Sequence, residues 1–277
     1  VKKLVILGVG LLGGSIGLTA RKRKLAEEVW GFGRDAKRLE AARKKGVLTH
    51  ATTDLAKACA QADLIVLCTP FTLFEPLLKR ISRLAPADCL ITDVGSVKGD
   101  WCARWEHAAL PLRFIGSHPM AGSEKTGWEH ASDELFEGAP CIVTPTRTSS
   151  TGALLKILGF WTSLGCRMQA CSPKRHDLLV GRFSHLTHAM AFALSKSASR
   201  GLARKDFSLA GPSYWGNTRI ASADAGLWAD IFGYNRKVVH AEIDAAIAAL
   251  RHLKSLKGRA LRLELERISK SARQARP

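Results

Sequence analysis

Hydrophobic residues follow two different rhythms along the 277-residue chain. Through the first half, short apolar runs rich in Val and Ile alternate with segments of helical spacing. Leu4–Leu7 and Glu28–Phe32 read as strands, and Asp35–Gly46 as a helix that starts on an acidic cap and ends on a glycine. Asp54 is placed to cap a helix running to Ala62. A buried strand at Leu64–Cys68, a helix at Leu73–Leu84, and strands at Leu90–Val94, Phe114–Gly116 and Cys141–Thr144 follow. Alternation of this kind predicts a mostly parallel, doubly wound α/β sheet. A strand-like segment near Cys166–Cys171 extends the sheet-bearing region to residue 171.

From Ser172 onward the rhythm is helical. His176–Arg200 and Asn235–Leu256 each read as one long helix. In the second, Val239, Ile243, Ala246, Leu250 and Leu253 recur at steps of four and three, which aligns them on one face. The expected organisation is a dinucleotide-binding sheet domain over residues 1–171 and an all-helical domain over 172–277. An apolar stripe is costly to leave in water, so the helical half predicts a two-fold homodimer.

Composition adds limits. Apolar residues make up 46% and charged residues 24%, which suits a soluble globular protein. The seven cysteines form no C-x-x-C pair, which argues against a zinc ribbon or a disulfide framework and for a reducing cytoplasm. Lys and Arg total 42 against 24 Asp and Glu, a formal charge of +18 that favours anionic partners. No nucleic-acid-binding signature accompanies the charge, so small carboxylates or phosphates are expected rather than DNA or RNA. The apolar run Leu4–Ala20 contains glycines at 8, 10, 13, 14 and 17 and reads as a turn rather than a signal sequence. No other stretch approaches the roughly 20 apolar residues of a membrane span.

The chemistry lies in a few motifs. Gly8-Val9-Gly10-Leu11-Leu12-Gly13 follows a strand and opens a helix, the arrangement that binds a pyrophosphate on backbone N–H groups. Thr69, just past the Leu64–Cys68 strand, is grouped with the same cofactor site. Twenty residues beyond Gly13, where an acidic residue would take the ribose hydroxyl of NAD, stands Gly33, followed by Arg34. That pair predicts NADP in preference to NAD, with adenine stacking as the other use of Arg34. Ser96 and Lys98, in Asp93-Val94-Gly95-Ser96-Val97-Lys98-Gly99, follow a strand at the carboxyl edge of the sheet. Ser96 is read either as a donor to a substrate hydroxyl or as a helix cap, and Lys98 as an anion-attracting group. His118, at a strand end before Pro119, has the residue type of a general base near neutral pH. His185 and His188 are one helical turn apart, without the further ligands of an H-E-x-x-H zinc site, so no metal is expected. Arg219, at a loop-to-helix junction, can clamp a carboxylate.

Together these segments resemble the prephenate/arogenate dehydrogenase family of tyrosine biosynthesis. The carriers are residues 8–17, 93–99, 116–127, 184–194 and 217–232. The resemblance implies a Rossmann-type domain followed by a helical dimerisation domain. It also implies oxidative decarboxylation of prephenate or arogenate with hydride transfer to NADP or NAD. By the same resemblance His118 takes the hydroxyl proton and Ser96 orients that hydroxyl. Arg219 holds a substrate carboxylate, His185 and His188 contact the substrate, and Glu124 lies near the pocket mouth. Thr187 stands where the family's SHLPH pattern has proline. Two other readings stay open on the residues alone. One is a dehydrogenase of the β-hydroxyacid dehydrogenase or imine reductase type. The other is a non-catalytic dinucleotide-binding module.

Overall fold

The computed structural model describes residues 1–99, 102, 113–122 and 125–275. Six strands form one parallel sheet: β1 (Lys3–Leu7), β2 (Glu28–Phe32), β3 (His50–Thr52), β4 (Leu64–Leu67), β5 (Leu90–Asp93) and β6 (Arg113–Phe114). Their order is β3-β2-β1-β4-β5-β6, so the winding reverses between β1 and β4 and leaves a crevice at their carboxyl ends. Successive residues of each strand feed opposite cores. Leu4, Ile6, Leu64 and Val66 pack with Ile16 of α1 (Leu11–Lys22) and Leu39 of α2 (Ala36–Lys44). Val5, Leu7, Ile65 and Leu67 pack with Leu55 of α3 (Leu55–Cys59) and with Leu78 and Ile81 of α4 (Phe74–Leu84). Both faces are covered, which is why these strands read as continuous apolar runs. Asp35 and Asp54 cap α2 and α3, accepting from the N–H groups of Arg38 and of Ala56 and Lys57. Helix α3 stops at Cys59, short of Ala62, where the chain reverses through Gln61 at φ 57°.

The strand expected at 114–116 is divided, Phe114 ending the parallel sheet and Gly116 opening a second one, and the strand expected at 141–144 belongs to that second sheet. After β6 the chain turns into a separate sheet of β7 (Gly116–Pro119), β8 (Pro140–Thr144) and β9 (Arg167–Ala170). There β7 and β8 are antiparallel and β8 and β9 parallel. The last backbone bond to β5 runs from the Ile115 N–H to the Ile91 carbonyl, 2.9 Å. One residue later the Ser117 N–H goes to the Asp93 side chain, 2.9 Å, and the Ser117 and Thr92 hydroxyls meet at 2.6 Å. Side-chain acceptors therefore replace the ladder and free β7 to diverge. Helix α5 (Thr151–Ser163) packs here through Ala153, Ile157 and Trp161.

The helical half begins at α6 (Pro173–Val180), capped by Ser172. A π-helical turn over Gly181–His185 joins it to α7 (Leu186–Ala198), so the single helix expected over His176–Arg200 is interrupted. Gly181 is tightly held, since a Cβ there would lie 2.5 Å from a Val238 methyl. Helices α8 (Pro212–Thr218), α9 (Ala225–Tyr234), α10 (Arg236–Ser255) and α11 (Gly258–Gln274) follow. Of the stripe on α10, Val239 is buried, Ile243, Ala246 and Leu253 are half-buried, and Leu250 is exposed. Among the described residues no helix is long and apolar enough to cross a membrane.

Candidate active site

The glycine turn lies at the switch point of the sheet. Gly8 has φ +98°, and a Cβ on it would meet the Cys68 carbonyl oxygen at 2.7 Å. A Cβ on Gly13 would lie 2.2 Å from the Gly8 carbonyl oxygen, so α1 approaches β1 only without a side chain there. At Gly10 the same test meets nothing within 4 Å, and Gly10 caps α1 without a side-chain acceptor. The first N–H groups of α1, at Leu11, Leu12 and Gly13, lack intrahelical partners by the geometry of a helix start. This is a cradle of backbone donors with open space in front of it, and it fits a dinucleotide pyrophosphate. Thr69 stands beside it with a buried hydroxyl that has no partner among the described residues. The Gly8 N–H binds the Phe32 carbonyl at 2.9 Å, which sets Gly33 and the exposed Arg34 alongside the turn.

His118 is the penultimate residue of β7, at 7% exposure. Its Nδ1 lies 2.8 Å from Nε2 of His176, and Nδ1 of His176 lies 2.8 Å from Oδ1 of Asp177. Asp177 also accepts the N–H groups of Lys98 (2.8 Å) and Gly99 (2.7 Å). The cap read for Ser96 is therefore supplied by Asp177, from the helical half. Ser96 itself is half-buried in the loop after β5. Lys98 does not face an anionic ligand. Its ammonium is fully buried, 2.7 Å from Asp93 and 2.6 Å from the Gly95 carbonyl oxygen. Burial, then His176, Lys98 and His185, hold the His118 imidazole well below its ordinary pKa, so it is neutral at pH 7.

His185 and His188 divide their roles. The Asn235 amide donates to the Asp177 carbonyl (2.9 Å) and to His185 Nδ1 (3.1 Å). Burial lowers the His185 pKa to about 4, and the neutral ring then carries its hydrogen on Nε2, a buried donor with no partner among the described residues. His188 is half-buried and stacks on Trp228 with ring centroids 3.5 Å apart. Its pKa is lowered by burial and, to a smaller degree, by the charge of Arg219, so Arg219 lies near this ring. Glu124 lies outside the described residues. Sequence reading missed His176, Asp177 and Asn235. The only local signal was that a His-Asp pair stands four residues after a Ser-Pro helix start.

Comparison with known proteins agrees with this architecture. The chain matches the family model of the prephenate dehydrogenase nucleotide-binding domain over residues 16–170 and that of the prephenate dehydrogenase dimerization domain over 172–267. It is 32% identical to a prephenate dehydrogenase of Lactococcus lactis over 88% of this chain and 68% of that protein. It is 28% identical to a cyclohexadienyl dehydrogenase of Zymomonas mobilis over 92% of this chain and 88% of that one. The crystal structure of prephenate dehydrogenase from Aquifex aeolicus, in complex with hydroxyphenyl propionate and NAD+, superposes with a TM-score of 0.92. That pair is 30% identical, with 100% of this chain and 99% of the other covered. With a glycine cradle at the switch point of the sheet, a buried neutral histidine on the seam of the two halves and matches across both, the chain belongs to the prephenate dehydrogenase family.

Proposed function

We propose that the protein catalyses the oxidative decarboxylation of prephenate or arogenate with hydride transfer to NAD(P)+, giving 4-hydroxyphenylpyruvate or tyrosine. The observation that carries this reading is His118, a buried and neutral imidazole held by His176 of the helical half, in a chain whose parallel sheet carries the glycine cradle at its switch point. The bound nicotinamide supplies the hydride acceptor. The protein's own residues have three tasks. His118 takes the proton of the ring hydroxyl as the carbinol carbon is oxidised, and Ser96 orients that hydroxyl. The ring carboxylate leaves as carbon dioxide, its bonding pair enters the ring, and the oxygen is left on an aromatic product. Arg219 holds a carboxylate, His188 beside it lines the same region, and the Nε2–H of His185, unpartnered among the described residues, offers a further donor.

NADP is the preferred cofactor in the same proposal. Gly33 removes the carboxylate that would repel a 2′-phosphate, and the exposed Arg34 gives a charge-assisted contact worth roughly 1.5–3 kcal/mol. That corresponds to about ten- to a hundredfold in kcat/KM. The helical half, from Ser172 onward, pairs with a second copy, as supported by the dimerization-domain match and the exposed apolar positions of α10 and α11. A steady-state assay crossing both substrates with both cofactors tests the proposal. Turnover of at least one substrate, faster with NADP+, is expected. No reduction of either cofactor overturns the activity, and a clear NAD+ preference overturns the role of Arg34.

A further inference from the structure

We infer that His176 and Asp177 are positioning residues that fix the tautomer of His118, so that its Nε2 is the bare nitrogen that takes the substrate proton. The inference rests on the reading of His118 as the base. Hydrogen-bond bookkeeping leads to it in three steps. Asp177 accepts the N–H groups of Lys98 and Gly99, one on each carboxylate oxygen, and the Nδ1 of His176 lies 2.8 Å from one of those oxygens. A carboxylate oxygen only accepts, so Nδ1 of His176 carries a hydrogen. His176 is fully buried and its pKa is lowered, chiefly by burial, so the ring is neutral and its Nε2 is a lone pair. The only arrangement that then satisfies the 2.8 Å contact between the rings puts a hydrogen on Nδ1 of His118. A neutral imidazole holds one hydrogen, and Nε2 of His118 is left as an acceptor.

The relay spans the two halves. His118 lies in a strand of the sheet-bearing half, whereas His176 and Asp177 stand in α6 at the start of the helical half, 58 positions away from His118 in the case of His176. Asp177 has a second job, capping the backbone at Lys98 and Gly99 in the segment after Ser96. One carboxylate thus fixes both the base and the loop that carries its hydroxyl partner. Among the described residues the side chain of His176 bonds only within the relay, which makes it the residue that separates positioning from structure.

The experiment has two arms. In the native protein labelled with ¹⁵N-histidine, the NMR signals of His118 are assigned by their loss in His118→Asn. Nδ1 protonated and Nε2 bare is expected, and a hydrogen on Nε2 overturns the inference without any activity measurement. In the second arm, His176→Leu removes the acceptor, whereas His176→Gln keeps a side-chain oxygen that can accept from His118. A catalytic imidazole held in the wrong tautomer costs up to about 10⁴-fold, so kcat of His176→Leu should fall by roughly 10²–10⁴-fold with KM changed little. His176→Gln should recover at least tenfold of that loss. A kcat for His176→Leu within about twofold of native, or equal losses in the two variants, overturns the inference. Failure of the underlying reading looks different: His118→Asn then keeps its turnover, whatever tautomer the native spectrum gives.

Discussion

The two halves of the chain bury their apolar residues unequally. In the sheet-bearing half, every residue of Leu4–Leu7 and Leu64–Leu67 is at most 1% exposed, and helices cover both faces. In the helical half the largest interior cluster is small. It consists of Trp228 and Ile231 with Val97 lent by the other half, and partly buried Phe192, Phe232 and Tyr234 around them. Helix α11 has no buried residue, and its Leu263 and Leu265 are 55% and 49% exposed. One half therefore closes its own core, and the other keeps apolar surface for a second copy in the dimer proposed above. The candidate chemistry sits on the seam between them, where Lys98, Gly99 and His118 meet His176 and Asp177.

The largest expected effect tests the chemistry on the sheet side of the seam. His118→Asn should lower kcat by roughly 10²–10⁴-fold, the usual worth of a positioned acid–base group, with substrate binding less affected. Steady-state kinetics checks it, and near-native turnover removes His118 from its role. Close behind is the buried pair that shapes the same edge. Lys98→Ala leaves the Asp93 carboxylate buried without its ammonium partner and should cost about 3–5 kcal/mol of folding stability. Denaturant unfolding measures this, and a loss below about 1 kcal/mol would mean that Asp93 is satisfied by the Gly95 and Ser117 N–H groups alone.

On the helical side, Arg219→Ala should weaken substrate binding by about 2–5 kcal/mol if it forms a desolvated charge pair with a carboxylate. Cofactor affinity should hardly change. Equal losses for both ligands would refute a substrate-only role. It should also let the His188 pKa rise, because the nearby positive charge is gone.

The contrast in burial predicts a further difference. Leu265→Glu combined with Ile268→Glu on the exposed face of α11 should yield monomers in sedimentation at micromolar protein. The sheet half should keep its fold, since neither residue is part of its core. A dimer that persists unchanged would move the interface to another face.

The smallest expected effect is a pH dependence of stability arising at the seam. His118, His176, His185 and His188 all have lowered pKa values, each mainly because burial penalises the charged ring. Below an unfolded pKa of about 6.5 the unfolded chain binds protons that the fold excludes, so unfolding becomes easier as pH falls. Stability from these groups is complete above about pH 6.5 and declines toward pH 4, where His185 itself titrates in the fold. Glu40, Asp133 and Glu264 also have lowered pKa values, but their contribution is lost only below the ordinary carboxylate range, about pH 4–4.5. The melting temperature should therefore fall by several degrees between pH 6.5 and 4.5, and a flat profile over that window would contradict the buried neutral histidines.

Much of this protein is written in local patterns. Runs such as Leu64–Leu67 specify strands buried on both faces, and Asp35 and Asp54 specify helix starts through their own neighbours. The glycine turn is equally local, because the collisions that exclude side chains at Gly8 and Gly13 arise wherever a strand, a tight turn and a helix follow in that order. His118 was marked by its place at a strand end. Other decisions needed the folded chain. That β7 leaves the parallel sheet depends on the Asp93 carboxylate, 24 positions away from Ser117, taking a bond the backbone ladder would otherwise make. That Asp177 stands against the backbone of Lys98, and His176 behind His118, depends on contacts between halves 79 and 58 positions apart. Periodicity reports which face of an element is apolar. It carries no information about which polar groups meet across the interior, and only tertiary packing sets those hydrogen bonds.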